Sequence, residues 1–172
     1  MWKSFNFFGD MSLIWNTRIG KMESPISIYY GLGMDNRRFT LKNDFIDNFQ
    51  DEILKSPLDT LNYDQIRLSG SYLRLPLGVE IQIKKTKIKL GAYFGFRIKQ
   101  TRYGWYQQNN QNIKIKIKDN YGLNKNNYGL SLSLGKKRTA VSFNYDFSEL
   151  LVSPNENHIE LHPWRVGFVI KL

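Results

Sequence analysis

Residues 71–96 read SYLRLPLGVEIQIKKTKIKLGAYFGF, alternating apolar and polar side chains through one proline and across a lysine-rich break. Alternation at period two marks a β-strand with two unlike faces, so the stretch predicts two strands joined by a tight turn at KKTK. On the first strand Leu73, Leu75, Leu77, Val79, Ile81 and Ile83 oppose Tyr72, Arg74, Pro76, Gly78, Glu80 and Gln82. On the second, Ile88, Leu90, Ala92, Phe94, Phe96 and Ile98 oppose Lys89, Gly91, Tyr93, Gly95, Arg97 and Lys99. What the apolar faces touch decides the fold: a protein core, a bound apolar ligand, or lipid.

The same period recurs along the chain. Strands are expected at about residues 4–18, 25–39, 65–83, 87–103, 126–135, 138–150 and 162–172. In the third, Ile66 and Leu68 are out of phase with the later leucines, which predicts a bulge or break near Gly70. No long helix is expected, only a single turn around 45–54. The segment NIKIKIKDN (112–120) alternates with one all-lysine face, Lys114, Lys116 and Lys118, and fits either a hairpin extension or an eighth short strand.

With 172 residues the chain is read as a single domain, 1–172, of all-β class. A charged fraction of 23% and a mean hydropathy of −0.46 resemble a water-soluble protein. Transmembrane barrels, however, alternate lipid-facing and lumen-facing residues, and the average cancels. No apolar run approaches the roughly 18 residues of a helical span, so a helical membrane protein is excluded. Cysteine is absent, which removes disulfides and thiolate metal sites. The N-terminus MWKSFNFFGDMSLIW has no signal-peptide pattern, so the expectation is a cytoplasmic chain or one beginning after a removed leader. The net charge of +10 favours anionic surroundings.

The polar faces separate the alternatives. In a soluble sandwich the outward face should carry long polar side chains. Here Gly31, Gly33, Gly78, Gly91, Gly95, Gly129, Gly135 and Gly167 fall on it, as suits the interior of a narrow barrel. The charges on the same faces, Asp10, Asp35, Arg37, Arg74, Glu80, Lys89, Arg97, Asp146, Arg165 and Lys171, are then expected to pair across a lumen. Leu73, Leu75, Leu77, Val79, Leu90, Phe94, Phe96, Phe143 and Phe168 are expected to face lipid. Trp15, Tyr128, Tyr145 and Trp164 sit near strand ends, as interfacial aromatic girdles do.

Short breaks at 20–24, 84–86 and 135–138 alternate with long ones at 41–64, 104–125 and 152–161. Short turns at one end and long loops at the other describe an antiparallel up-and-down transmembrane β-barrel of about eight strands. Seven strands are clear. Because closed barrels usually hold an even number, one strand is expected to be missing at the N-terminus, unless NIKIKIKDN restores the parity.

The run Tyr72, Leu73, Leu75, Pro76 and Leu77 resembles the Tyr-Leu-x-Ile-Pro-Leu strand of the PorT-like outer-membrane β-barrel domain family of Gram-negative bacteria. LGAYFGF, YGLSLSLG, VSFNYDFSEL and WRVGFVIKL are similar to that family's later strands in order and character. Arg74 stands where the family commonly has an acidic residue, and Leu172 where an aromatic one is usual. The resemblance covers about residues 71–172. It implies an eight-stranded barrel of the bacterial outer membrane without a defined catalytic site, and some members belong to secretion or envelope complexes.

Catalytic and metal chemistry find little support. His158 and His162 flank Glu160 in HIELHP, but Pro163 follows directly and the segment enters a strand, so surface loop histidines are the reading. Ser142 and Ser148 lie on the lumen face without a G-x-S-x-G pattern or a companion histidine. No cofactor is expected. Arg102, Tyr103, Trp105 and Tyr106 could stack single-stranded bases, yet they equally suit a rim among anionic headgroups, and nucleic acid is not the partner expected. The chain is therefore read as a non-enzymatic barrel with a plugged lumen, a structural or accessory subunit of a cell-envelope or secretion complex. Its expected surroundings are outer-membrane lipid and lipopolysaccharide. The rival readings are a soluble lipocalin-like barrel binding an apolar ligand and an outer-membrane lipid-modifying enzyme.

Overall fold

A computed structural model describes residues 9–20, 24–42, 64–108, 111–117, 122–136, 138–151 and 161–170. These residues form strands β1 (Gly9–Arg18), β2 (Ile26–Lys42), β3 (Gln65–Ile83), β4 (Thr86–Gln108), β5 (Gln111–Ile117), β6 (Asn126–Lys136), β7 (Thr139–Asp146) and β8 (Trp164–Ile170). No helix occurs among them. Every pairing is antiparallel, and the wall runs β1-β2-β3-β4-β6-β7-β8. The fold is an all-β antiparallel sheet curled into a half-barrel. The curl is visible in contacts across its concave side, where β2 reaches β6 (Tyr29 to Ser131), β7 (Arg37 to Asp146) and β8 (Asp35 to Arg165).

The quoted stretch forms the two-strand unit expected of it, with Lys84 at φ +54° in the tight turn between β3 and β4. Gly20, at φ +87°, follows β1 in the first short turn, where a side chain would be strained. NIKIKIKDN is resolved in favour of a hairpin: β5 pairs with β4 alone and stands off the wall. The wall therefore has seven strands. Its outer members β1 and β8 run in the same direction, so they cannot pair with each other in antiparallel fashion.

The sheet is inside-out relative to a soluble sandwich. Outward residues on the lower wall are large and apolar and have nothing over them: Leu75 is 50% exposed, Leu90 58% and Phe168 87%. Inward residues are polar and buried, among them Asp35, Arg37, Asp146 and Arg165. Toward the long-loop end this polarity reverses. On β3, Ser71, Ser69 and Arg67 face out while Tyr72, Leu68 and Ile66 face in, the last three at most 1% exposed. Phe39, Leu123 and Leu151 are also buried there, and Leu123 forms a bridge with Leu151. A small apolar plug thus caps the concave side above its charges.

A bulge does lie near Gly70, as expected, but that reversal gives the phase of Ile66 and Leu68 a different cause. The alternation of β3 continues without interruption from Ile66 to Glu80, so Gly70 is not a break. The register shift lies between Ser71 and Tyr72, which pair with Lys99 and Arg97, leaving Ile98 as the extra residue on β4. Ile66 and Leu68 are apolar because they face inward at the height where Phe39, Leu123 and Leu151 are also buried, beside Arg102 and Gln100. β2 and β4 extend further toward the long-loop end than expected, and β7 ends earlier, at Asp146. Residues 4–8, the turn at 45–54, Lys118, His158, Glu160 and Lys171 lie outside the described residues.

Candidate functional site

Alternation along each strand turns every second side chain inward, and the register sets which of the charged ones meet. Asp35 and Arg37 are two apart on β2 and share its inner face; Asp10 on β1 and Tyr72 on β3 stand beside Asp35. The Arg37 Nε donates to Asp35 Oδ2 at 2.8 Å, and its Nη1 donates to Asp146 Oδ2 at 2.6 Å from β7. From β8, Arg165 donates to both Asp35 oxygens at 2.9 and 3.0 Å and lies 3.7 Å from Asp146. Arg74 on β3 donates to Asn144 at 2.7 Å, approaches Asp10 at 3.5 Å, and lies 3.8 Å over the ring of Tyr93. The Tyr93 hydroxyl donates to Asp146.

Three aspartates and three arginines therefore interlock at one level, joining β1, β2, β3, β7 and β8. Asp35 and Asp146 have no solvent exposure. A buried carboxylate persists as an ion only when paired and hydrogen-bonded, and each here has at least two partners. The interior at this level is occupied by side chains of balanced charge.

A second cluster lies toward the short turns. Glu80 accepts Lys87 and Lys89, each at 3.1 Å, and Lys89 lies 4.8 Å over the ring of Tyr29. Below it a polar recess of about 430 Å³ opens, lined by Asn16, Arg18, Ser27, Glu80 and Lys87 among others. At the opposite end Arg97 donates to the Gln100 side chain and to the Leu123 carbonyl, and the Tyr72 hydroxyl donates to the Asn124 carbonyl at 2.9 Å. Of the ten charges expected in the lumen, the nine on described residues all lie on inner faces, but as three stacked groups rather than one network. Asp10, on the edge strand, keeps a side chain 38% exposed.

Glycines make room for this packing. A Cβ on Gly91 would collide with the Leu77 carbonyl and the Tyr29 hydroxyl, whereas one on Gly167 would meet only the Ser142 hydroxyl, at 3.3 Å. Gly91→Ala is expected to lower the unfolding free energy by about 1–3 kcal/mol, as overpacking does. Gly167→Ala should stay within about 0.5 kcal/mol. Urea titration of the two purified variants checks the order. Ile14, the apolar exception on the inner face of β1, sits over Gly31, whose absent side chain leaves room for it (2.7 Å from a Cβ there).

The outer face forms a belt. Leu73, Leu75, Leu77, Val79, Leu90, Phe94, Phe96, Phe143 and Phe168 are all exposed on it. Trp15, Tyr128, Tyr145 and Trp164 are exposed beside them, with Trp15 stacked on Tyr30 and Trp164 on Phe143. The belt does not follow the hydrogen-bonded rows. Trp15, Tyr30, Leu77, Ala92, Leu130, Tyr145 and Trp164 share one row. Yet Tyr30 is midway along the apolar stretch of β2, and Trp164 is at the long-loop end of that on β8.

Sequence reasoning missed Lys87, Asn144, Tyr72 and Tyr93 as partners of the charges, and Leu123 and Leu151 as the plug. Tyr72 and Asn144 carried a usable signal, since each is an inward polar residue next in phase to a charge, whereas Tyr93 stands between Gly91 and Gly95. Ser142 Oγ donates to the Gly167 carbonyl at 3.4 Å, and Ser148 Oγ accepts the Tyr128 N–H at 3.2 Å. Neither has a histidine partner among the described residues, and His162 is exposed beside Tyr145. No protein-family model, curated protein or solved structure matches the chain.

Proposed function

We propose that this chain is a small β-barrel protein of the bacterial outer membrane. Its lumen is plugged, and it serves as a structural or accessory subunit of a cell-envelope or secretion complex. The observation that carries the reading is the apolar belt. Seven strands spaced by about 4.8 Å, with apolar stretches of about 20–25 Å, give an uncovered patch on the order of 700 Å². Monomeric soluble proteins rarely expose more than about 300–600 Å² in one patch.

The belt also has membrane dimensions. From Leu73 to Ile83 the strand advances about 33 Å at roughly 3.3 Å per residue. At an inclination of about 40° this gives about 25 Å of height, the thickness of an outer-membrane apolar band. Its slant across the hydrogen-bonded rows is what inclined strands need to present a level band to a flat bilayer. Closure of the wall would take an odd number of further strands between β1 and β8, since each new neighbour must be antiparallel to the last. The likeness of Tyr72, Leu73, Leu75, Pro76 and Leu77 to the PorT-like strand points the same way.

A lipocalin-like barrel would need an apolar interior, whereas the mid-level here is charged and filled. A lipid hydrolase would need an activated nucleophile near the belt, whereas the candidate serines Ser142 and Ser148 bond to backbone groups. The plugged interior argues against a general pore. The test is extraction: the chain should leave envelopes only with detergent and migrate on gels with heat-modifiable mobility. A chain that is monodisperse in buffer without detergent overturns the proposal.

A further inference from the structure

Above the belt, the reversal of polarity turns a set of cations outward. Arg38 on β2, Arg67 on β3, Lys99 on β4, and Lys114 and Lys116 on β5 share the outer side of one continuous sheet region. The rings of Tyr103 and Trp105 form its floor. Arg67 lies 5.0 Å over Trp105, and Lys114 lies 4.9 Å over Tyr103 and 5.2 Å over Trp105. Of the described carboxylates, Asp10, Asp35, Glu80 and Asp146 point inward, and Asp64 stands at the patch's upper edge with its N–H on the Trp105 carbonyl. No ion pair among the described residues joins a carboxylate to these five cations. The patch is thus cationic, pre-ordered by cation–π contacts, and uncompensated within the described residues.

Height identifies what it meets. Counting up β3 from Leu73 at the top of the belt, Arg67 stands about 15 Å higher at roughly 3.3 Å per residue and about 40° inclination. Because rows rise by about 3 Å per strand toward β8, Arg38 and Lys99 stand about 7–8 Å up and Lys114 and Lys116 about 20–25 Å up. The headgroup layer of an ordinary phospholipid leaflet is only about 5–8 Å deep. Lys99 and Arg38 would reach its upper edge, and Arg67, Lys114 and Lys116 would stand beyond. A headgroup that reaches them must be taller and carry negative charge well above the acyl chains.

We infer that Arg67, Lys99, Lys114 and Lys116, on their Tyr103–Trp105 floor, form a binding surface for the phosphorylated oligosaccharide headgroup of a glycolipid. This rests on the membrane reading above and names the partner of that outer surface. The lower cation meets phosphate at the acyl boundary, and the upper three meet phosphate on the sugars. The off-wall hairpin β4–β5 is what lifts them to that height.

The test uses the full chain folded in zwitterionic micelles, titrated with a core-sugar-bearing phosphorylated glycolipid and followed by tryptophan fluorescence. Parallel titrations use the same glycolipid after phosphatase treatment, phosphatidylglycerol, and a single-stranded oligonucleotide. The phosphorylated glycolipid should bind at least about tenfold tighter than each of the other three. The triple variant Arg67→Gln/Lys114→Gln/Lys116→Gln should weaken it about a hundredfold, from the attraction each basic residue has for an anionic surface. If that variant does not fold, as heat-modifiable mobility reports, Lys114→Gln/Lys116→Gln leaves the wall intact and should weaken binding about tenfold. Equal binding of the dephosphorylated lipid or of phosphatidylglycerol overturns the inference, as does an oligonucleotide that binds as tightly. A wild-type chain that needs no detergent fails the membrane reading instead, and is recognised before any lipid is added.

Discussion

Replacing Asp35 with alanine should lower the unfolding free energy by about 3–5 kcal/mol, the cost of breaking a buried ion pair from one side. Asp35 has no solvent exposure and receives Arg37 from its own strand and Arg165 from β8. Without it, both guanidiniums must share Asp146, and among the described residues Asp10 is left as the only other carboxylate at that level. Denaturant titration in micelles measures the loss. Lys116→Ala, on the exposed hairpin, should change stability by less than about 0.5 kcal/mol. A double-mutant cycle on Asp35 and Arg165 should show a coupling of about 1–3 kcal/mol, because the two share one network. Additive effects would mean that the cluster does not hold β8 against β2.

The second large effect tests the other side of the wall. Leu77 is 59% exposed and lies near the middle of the belt on β3. If it faces lipid, Leu77→Arg should cost about 2–4 kcal/mol, as a cation near the bilayer midplane does. If it faces water, the same change at an exposed position should cost less than about 0.5 kcal/mol. Ser69→Arg supplies the comparison on the same strand, since Ser69 faces out above the belt, where the wall is already cationic. Reversible folding into vesicles, followed by urea titration, gives both numbers. A Leu77→Arg cost no larger than that of Ser69→Arg would remove the main support for the membrane reading.

Much of the fold could be read from alternation, because a strand with two unlike faces writes its period directly into the chain. The Leu73 to Ile83 run and its glycine-bearing opposite face pointed to the strands, the turn at Lys84 and the inward charges together. The levels of the lumen could not be read in the same way. Whether Arg37 meets Asp146 or Glu80 depends on register across several strands and on the curl, neither of which leaves a local trace. The plug was hidden for a related reason: Leu123 and Leu151 come from connecting segments, where periodicity says nothing. Ile66 and Leu68 did announce it, but their phase was read as a break in the strand. It was instead a change in what the interior is made of.

The shared direction of β1 and β8 bears on how copies of this chain avoid each other. Unpaired strand edges invite association, and natural sheets usually blunt them with charge, proline or bulges. Here both edges carry long apolar residues, such as Met11 and Phe168. In a bilayer, all copies inserted with the same orientation present edges running the same way, so any two would have to meet in parallel, the slightly weaker pairing. Copies free in solution can turn over and join antiparallel. Directional insertion would then itself guard against self-assembly, and chains held back in the aqueous phase would be the ones at risk of stacking edge to edge.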